Sequence, residues 1–266
     1  MRLTLIGAGL NDFEQLTLDA LRSLRETAKI LYFQIDTVKA EEFFQVHTMP
    51  NTECIDSLYK PGVLDIENYQ RIFEKCIFEL KEHRSIALLV HGHPLVGVSL
   101  FKTFRENAET CGYELIIKVG PSSFDNMIID LMRDPLEKGT IIVDANRLLL
   151  FEYQLDTKLD VYIYHVCSIL NRRTDFLSTQ SVDNINILKD YLLTFYDDTH
   201  QGYLVRSSNC YGKKAELIPF TIGDLSRQLH DMDFSTSMFI PGKKPKSFNS
   251  KNYERMRITE SPSPPY

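Results

Sequence analysis

The first third of the chain alternates short apolar runs with segments whose apolar residues recur at helical spacing. Residues 2–6 (RLTLI) form a β-prone run that ends in a Gly-Ala-Gly break at 7–9, and residues 29–35 (KILYFQI) form a second run. Between them, residues 14–28 place apolar side chains on one face of a predicted helix. Residues 85–90 (SIALLV) are apolar throughout, which is typical of a central parallel strand buried on both faces.

The alternation of predicted strands and helices continues on both sides of residues 85–90. Helices are predicted at 65–82 and 97–110, and a strand is predicted at 113–119 (YELIIKV), which ends in Gly-Pro-Ser-Ser at 120–123. Loops and a short helix are expected after the strand at 29–35, ending in the Pro61-Gly62 turn. Such alternation predicts a mostly parallel sheet with helices on both faces. Ligands of these sheets bind beyond the carboxyl ends of the strands.

The second half of the chain has a different pattern of apolar and polar residues. A helix is predicted at 182–196. Strand-like runs are found at 140–151, 160–170, 202–210 and 237–241. We interpret this half as a second α/β domain with a more mixed sheet. The predicted organisation is therefore an α/β fold with an N-terminal domain (1–120), a C-terminal domain (121–245) and a flexible, polar, Pro-rich tail (246–266).

Composition narrows the class of protein. The chain has 266 residues, of which 43% are hydrophobic and 25% charged, so disorder over most of its length is excluded. It has no apolar run of about 18 residues or more, so we expect no membrane span. Its start does not resemble a signal peptide. A net charge of −6 disfavours nucleic-acid binding, which needs a concentrated basic face.

The cysteines indicate whether the protein works in a reducing or an oxidising compartment. They are odd in number and lack paired short spacings, at Cys54, Cys76, Cys111, Cys167 and Cys210. This pattern is typical of reduced thiols and not of a disulfide framework or a zinc site. We therefore expect a cytoplasmic protein without a bound metal.

Glycine-containing breaks follow three of the predicted strands, at 7–9, at Gly92 and at Gly120. Because the carboxyl ends of parallel strands share one edge of the sheet, we expect these breaks to converge on a ligand. The first break lacks the third glycine of a dinucleotide-binding fingerprint and is followed by acidic residues, which disfavours NAD. A plain tight turn is its alternative interpretation.

Two polar segments at these breaks are candidates for ligand contact. The segment His-Gly-His-Pro at 91–94 ends the buried strand, where glycine lets a ligand approach the backbone. A structural turn is one alternative, and metal binding by His91 and His93 is another, although no third ligand stands at a sensible spacing. Ser122 and Ser123 either cap the next helix or present hydroxyl and N–H groups to a ligand.

Two tyrosines bracket the start of the predicted helix at 65–82. Tyr59 precedes a Pro-Gly turn, and Tyr69 lies on the apolar stripe of the helix, so packing in the core is an alternative to a functional role. Arg71 falls off this stripe, and we expect it in solvent.

The segments at 3–33, 92–94 and 120–123 together resemble the tetrapyrrole methylase superfamily, a class of S-adenosylmethionine-dependent methyltransferases with two α/β domains. Residues 3–33 match its strand, glycine loop, helix and strand opening. Residues 92–94 match its mid-domain Gly-Asp-Pro loop with His in place of Asp, and residues 120–123 match its Pro-Gly-x-Ser-Ser loop in part. The resemblance extends over about residues 1–245.

Within this superfamily, His93, the segment 124–135 (FDNMIIDLMRDP) and the segment 239–244 (FIPGKK) are most similar to borosin-type peptide backbone α-N-methyltransferases. Those enzymes methylate amide nitrogens of a ribosomally made precursor peptide and are commonly dimers. The resemblance implies S-adenosylmethionine as cofactor, S-adenosylhomocysteine as product, a homodimer and a peptide substrate, which we expect to be encoded separately. The alternatives are a methyltransferase of a tetrapyrrole or other small molecule, and a non-catalytic homologue that binds a peptide.

The resemblance also implies a cofactor pocket between the domains. Its predicted contacts are Gly92, His93, Pro94, Leu95, Val96, Val98, Ser122, Ser123, Tyr164, His165, Val166, Ser207 and Ser208.

The implied catalytic groups depart from the borosin pattern at two positions. Tyr59 and Tyr69 match its tyrosines and would hold or deprotonate the acceptor, but His91 stands where the pattern has tyrosine, and Asp65 stands where it has arginine. His91 is a candidate general base because imidazole titrates near neutral pH. An amide nitrogen needs a base and a stabilised oxyanion to react, and Asp65 opposes the second requirement.

Overall fold

The computed structural model describes residues 1–11, 13–97, 99–173, 181–208, 213–245, 247 and 249–255. The strands are β1 (Arg2–Gly7), β2 (Lys29–Phe33), β3 (Thr52–Cys54), β4 (Ser85–Val90), β5 (Glu114–Lys118), β6 (Thr140–Asp144), β7 (Asp160–Tyr164), β8 (Gln201–Arg206), β9 (Glu216–Thr221) and β10 (Thr236–Ile240). The α-helices are α1 (Leu18–Arg25), α2 (Thr37–Val46), α3 (Asp65–His83), α4 (Leu100–Cys111), α5 (Ser123–Asp130), α6 (Ala145–Leu150), α7 (Val182–Leu193) and α8 (Ser250–Arg255). Short 3-10 helices occupy Asp56–Leu58, Val166–Ser168 and Ile222–Asp231.

The first sheet has the strand order β3-β2-β4-β1-β5, and all its pairs are parallel. Its central strand β4 is apolar from Ile86 to Val90 because both of its faces are covered. Ile86 and Leu88 belong to the core cluster shared with α3 and α4, whereas Ala87 and Leu89 belong to the cluster shared with α1 and α2. Alternate side chains of a strand point to opposite faces, so one apolar run serves two cores.

The second sheet has the order β6-β7-β10-β8-β9. Only the pair β6–β7 is parallel, and the remaining pairs are antiparallel. Helices α6 and α7 share the larger core cluster on one side of this sheet, and α5 contributes Met127 to a smaller cluster with Tyr162 and Phe239. The predicted α/β class, with a parallel first sheet and a mixed second sheet, is confirmed. The division at residue 120 stays a prediction.

Several predicted boundaries in the first half are wrong, for local reasons. The helix predicted at 14–28 begins only at Leu18, because Thr17 is extended and its side chain accepts the N–H of Ala20 as an N-cap. The strand predicted at 29–35 ends before Gln34, whose φ of 55° turns the chain. The helix predicted at 97–110 begins at Leu100, after a left-handed Gly97. The region expected to hold loops and a short helix also contains β3 as an edge strand.

The second half contains helices where strand-like runs were expected. The run at 140–151 is a strand only to Asp144, whose side chain accepts the N–H of Arg147 and starts α6. The run at 160–170 ends as a strand at Tyr164, and β9 was not predicted. Within the predicted tail, α8 is described, whereas residues 256–266 lie outside the described residues, as does Cys210.

The carboxyl ends of β1, β4 and β5 approach one another through their glycines. A Cβ placed on Gly7 would lie 2.7 Å from Cδ of Pro94 and 2.9 Å from the backbone nitrogen of Gly120, and closer still to the carbonyl oxygen of Gly92. The N–H of Gly92 donates to the carbonyl of Gly9 (2.8 Å), and the N–H of Gly9 donates to the carbonyl of Gly92 (3.2 Å). The three glycine breaks therefore lie together at one edge of the sheet.

We expect Gly120→Ala to lower the free energy of unfolding by about 3 kcal/mol, because its Cβ would meet the Gly7 backbone, which cannot move aside. Gly62→Ala is the control. Its Cβ would meet no atom within 4 Å, so only the left-handed backbone should cost stability, about 1 kcal/mol. Urea unfolding measures both values, and equal losses would contradict the close packing of the breaks.

Candidate functional site

The loop after β4 carries the sequence-predicted segment 91–94 and is shaped by its own backbone. Gly92 has a φ of 71°, a left-handed conformation that favours glycine. Nδ1 of His93 accepts the N–H of Leu95 (3.0 Å), which tightens the turn. Leu95 and Val96 follow with 43% and 39% of their surface exposed, so part of the apolar surface of this loop faces solvent. Val98 lies outside the described residues.

The two predicted serines have different roles. Ser122 is the N-cap of α5, since its hydroxyl accepts the N–H of Asp125 and donates to the Asp125 carboxylate (2.6 Å) in a capping box. The capping alternative therefore describes Ser122. The Ser123 hydroxyl instead donates across to the hydroxyl of Tyr164, 3.1 Å away at the end of β7. Burial raises the pKa of Tyr164 to about 12, so its phenol stays protonated at neutral pH.

Asp144 and His165 form a pair at the ends of β6 and β7 that was not predicted, although His165 itself is one of the predicted cofactor contacts. Nδ1 of His165 lies 2.6 Å from Oδ2 of Asp144. Burial acts to raise the pKa of Asp144, but hydrogen bonds from His165 and from the N–H of Arg147 hold that pKa below its ordinary value. A Cβ on Gly97 would lie 3.3 Å from Nε2 of His165, so this histidine faces the loop after β4. The one sequence signal was an aspartate directly before Ala-Asn-Arg, which is typical of a helix N-cap.

These contacts join four loop segments into a closed circuit, which we call the loop ring and define as residues 7–9, 92–97, 120–123 and 164–166. The first segment packs against the second and third through its glycine backbone. The third reaches the fourth through the Ser123–Tyr164 hydrogen bond. The fourth returns to the second through His165 and Gly97. The loop ring thus brings the glycine edge of the first sheet against the end of β7 in the second.

The remaining predicted cofactor contacts are Val166, Ser207 and Ser208, and their side chains lie in different surroundings. The side chain of Val166 is fully buried in the core of the second sheet, so it is not presented to a ligand. The Ser207 hydroxyl, just after β8, donates to Oδ2 of Asp130 at the end of α5 (2.6 Å). Ser208 follows it and has interactions of its own.

Tyr59, Asp65 and Tyr69 form a second feature, which we call the tyrosine cluster. The Tyr59 hydroxyl donates to Oδ1 of Asp65 (2.7 Å), and the two tyrosine rings lie edge to face with centroids 6.1 Å apart. Burial, reinforced by the charge of Asp65, raises the pKa of Tyr69 to about 12. The ring of Phe33, at the end of β2, lies 5.6 Å from that of Tyr59, which places the cluster at the same carboxyl edge as the loop ring.

Arg71 supports this cluster and is not in free solvent, so our expectation for it was wrong. Its Nε donates to the carbonyl of Leu58 (3.0 Å), and its guanidinium also bonds to Asn68. Asn68 is fully buried and exchanges hydrogen bonds with both backbone groups of Lys60. Arginine and asparagine on α3 therefore fix the loop that carries Tyr59.

The tyrosine cluster also lies against the second half of the chain. The N–H of Asp65 donates to the carbonyl of Arg172 (3.3 Å), and Leu64 forms an isolated β-bridge with Arg173. The loop that follows His165 is thus attached to the first turn of α3. This contact and the loop ring lie on the same side of the first sheet, beyond its strand ends.

His91 is placed differently from the tyrosines. It is exposed and borders a cavity of about 360 Å³ beyond β1, β2 and β4. The other lining residues are Ala8, Gly9, Leu10, Phe13, Gln34, Ile35, Asp36, Lys39 and Lys213. In the described part of the chain, no three His, Cys, Asp or Glu side chains gather as metal ligands would. None of the described helices is long and apolar enough to cross a membrane.

Comparison with known families identifies the fold. Residues 2–147 match the family described as Tetrapyrrole (Corrin/Porphyrin) Methylases. Because this match covers more than half of the chain, the chain belongs to that family. The resemblance to this family, stated above from the glycine loops, is confirmed.

Curated relatives point to a particular branch. The chain is 26% identical over 198 residues to a methyltransferase/ribosomally synthesized type II borosin cyclic peptide precursor of Phlebiopsis gigantea, which covers 74% of this chain and 35% of that protein. It is 26% identical over 243 residues to a type I borosin counterpart of Cerrena unicolor, which covers 90% of this chain and 58% of that protein. The chain therefore spans between about a third and three fifths of the length of these relatives.

Solved structures share the fold at low identity. The methyltransferase CobJ has a TM-score of 0.62 at 12% identity and covers 93% of this chain and 97% of its own. Uroporphyrin-III C-methyltransferase from Thermus thermophilus, complexed with S-adenosylhomocysteine, has a TM-score of 0.60 at 16% identity and covers 91% and 97%. These likenesses confirm the two-sheet architecture.

The lowered pKa of Asp144 predicts a pH dependence of stability. A carboxyl whose pKa is lower in the folded state adds stability above its ordinary pKa of about 4, and this gain is lost as the pH falls through the folded value. Asparagine also caps helices, so Asp144→Asn should remove mainly this gain. Urea unfolding should show the wild type more stable at neutral pH and the gap closing in acid. A gap that stays constant with pH would contradict the linkage.

Proposed function

We propose that the chain is an S-adenosylmethionine-dependent methyltransferase whose cofactor binds at the loop ring. Family membership supports the class of reaction. The observation that carries the proposal is the meeting of three glycine breaks with Ser123, Tyr164 and His165 at the carboxyl ends of the strands. Parallel α/β sheets bind their ligands at this edge.

The residues of the loop ring fit such a cofactor. Leu95 and Val96 offer exposed apolar surface suited to a nucleoside, and Tyr164 adds an aromatic face. Hydroxyl groups are present at Ser123 and Tyr164. The segments of the loop ring contain no Lys or Arg, so no permanent positive side chain there would repel a sulfonium. Val98, Ser207 and Ser208 remain predicted contacts.

The chain's own contribution to the reaction is alignment and exclusion of water. When bound, the cofactor supplies an electrophilic methyl group. The two sheets would hold the acceptor nitrogen in line with that group, which removes much of the entropic barrier. Tyr59 and Tyr69 would position the acceptor beside the strand ends, with Tyr59 itself oriented by Asp65. His91, at the mouth of the neighbouring cavity, remains a predicted proton acceptor.

We further propose that the acceptor is a backbone amide nitrogen of a ribosomally made peptide. The support is the similarity to proteins named as borosin methyltransferase and peptide precursor. We propose that the enzyme acts on this peptide as a cytoplasmic homodimer. The free thiols of Cys54, Cys76, Cys111 and Cys167 support a reducing compartment.

The proposed binding site can be tested through the positive charge of the sulfonium, which S-adenosylmethionine carries and S-adenosylhomocysteine lacks. We expect calorimetry to show binding of both S-adenosylmethionine and S-adenosylhomocysteine by the wild type. Val96→Lys should weaken binding of the sulfonium form about tenfold more than binding of the neutral sulfide, because like charges repel. Val96→Gln is the neutral control and should affect both ligands equally. Absence of heat with the wild type, or equal losses in the lysine variant, would overturn the placement.

The role of the tyrosines can be tested with a pool of synthetic peptides and labelled S-adenosylmethionine, read by mass spectrometry. We expect the wild type to add methyl groups to backbone nitrogens. Tyr59→Phe and Tyr69→Phe should each slow transfer about a hundredfold while leaving S-adenosylhomocysteine affinity intact. Tyr153→Phe is the control, since that half-exposed ring lies beyond α6. Unchanged rates in the first two variants would exclude the tyrosine cluster from the reaction.

A further inference from the structure

We propose that His165, oriented by Asp144, is the base that takes the proton from the acceptor nitrogen as the methyl group is transferred. This inference rests on the proposed methyltransferase function. It replaces His91, the candidate base in the first half of the chain, by a residue at the end of β7 in the second sheet.

The first support is the fixed geometry of the pair. Asp144 and His165 stand at the ends of adjacent parallel strands, with Asp144 paired to Tyr164 in register. Oδ1 of Asp144 accepts the N–H of Arg147 (2.9 Å), while Oδ2 faces Nδ1 of His165 at 2.6 Å. An ionised carboxylate accepts hydrogen bonds only, so Nδ1 of a neutral imidazole carries the proton here. The lone pair then lies on Nε2.

The second support is the direction of Nε2. This atom faces Gly97 in the loop ring, and within the described residues it has no hydrogen-bond partner. His165 adopts a left-handed backbone with φ 58° and ψ 34°, which side chains of L-residues seldom take. Its carbonyl accepts the N–H and the hydroxyl of Ser168 (3.0 and 3.3 Å), which maintains that conformation. The imidazole is therefore held towards the ligand edge.

The third support is the state of the competing bases. Tyr69, with a pKa of about 12, stays protonated at neutral pH, and the hydroxyl of Tyr59 already donates a hydrogen bond to Asp65. Nδ1 of His93 is occupied by the N–H of Leu95. In the described structure, His165 is the imidazole in the loop ring with a carboxylate on one nitrogen and an open lone pair on the other.

Asp144 is the charged group in direct contact with His165. Arg147 on α6 acts on Asp144, and the charge of Asp233 acts on Cys167, two residues from His165. The loop at 94–97 contains no ionisable side chain. On the adjoining 3-10 helix, burial raises the pKa of Cys167 to about 12, so that thiol stays neutral, as does the Tyr164 phenol.

The step balances as follows. The lone pair of the acceptor nitrogen forms the N–CH3 bond, and the electron pair of the breaking C–S bond stays on sulfur, giving S-adenosylhomocysteine. The N–H proton passes to Nε2 of His165, forming an imidazolium that Asp144 stabilises, and later leaves to water. Because the proton leaves while the methyl group arrives, no free amide anion forms. This suits a site where the carboxylate of Asp65 would disfavour such an anion.

The test compares His165→Gln with His230→Gln, an exposed histidine of the 3-10 helix Ile222–Asp231. Single-turnover methyl transfer to the synthetic peptide pool is measured across pH with saturating S-adenosylmethionine, and S-adenosylhomocysteine affinity is measured by calorimetry. We expect His165→Gln to lower the rate about 10²- to 10⁴-fold, with the acid limb of the pH profile lost and affinity changed less than about threefold. His230→Gln should match the wild type.

Asp144→Asn provides the second readout. As a positioning variant it should lower the rate about tenfold or more while S-adenosylhomocysteine affinity changes less than about threefold, because the imidazole loses the carboxylate that orients it. A structural role for the pair would lower both rates and weaken S-adenosylhomocysteine binding without removing the acid limb in His165→Gln, and this result overturns the inference. A wild type that binds no S-adenosylhomocysteine or methylates no peptide overturns the proposed function instead. If the wild type is active and the His165→Gln variant is equally active, only the assignment of His165 as the base is overturned.

Discussion

Close packing of bare backbone at the carboxyl edge of the first sheet is the constraint on which the rest of the structure depends. Gly7, Gly92 and Gly120 approach so closely that a methyl group on the first or the last would collide with backbone atoms of its neighbours. The loops after three strands of this sheet can therefore occupy one small region. The exposed Leu95 and Val96 follow directly after this contact in the loop ring.

The architecture was accessible from the sequence because it follows from periodicity. The apolar run at 86–90 has the length and composition typical of a strand covered on both faces, and helical spacing at 65–82 matched α3 to within one residue. The edge strand β3 was not predicted, because it has only three residues and no buried side chain. Boundaries failed where a single residue acts locally, as Thr17 does at the start of α1. Caps and left-handed residues leave little trace in a hydrophobic pattern.

The candidate site was predicted only in part, for a different reason. Glycine loops and serines are local motifs, so the resemblance located them. The Asp144–His165 pair joins residues 21 positions apart. Asp144 was absorbed into a run interpreted as strand, and nothing in the spacing shows that β6 and β7 are parallel neighbours. Arg71 was misjudged because its long side chain reaches back to the carbonyl of Leu58, whereas periodicity describes only where a side chain starts.

The attachment of the loop after β7 to α3 has a consequence for access. The same stretch of chain touches the first sheet twice, through His165 at Gly97 and through Arg172 and Arg173 at the start of α3. Separating the two sheets on this side of the molecule therefore has to disrupt both contacts together. Access to the loop ring by such an opening would cost more than the displacement of a single loop.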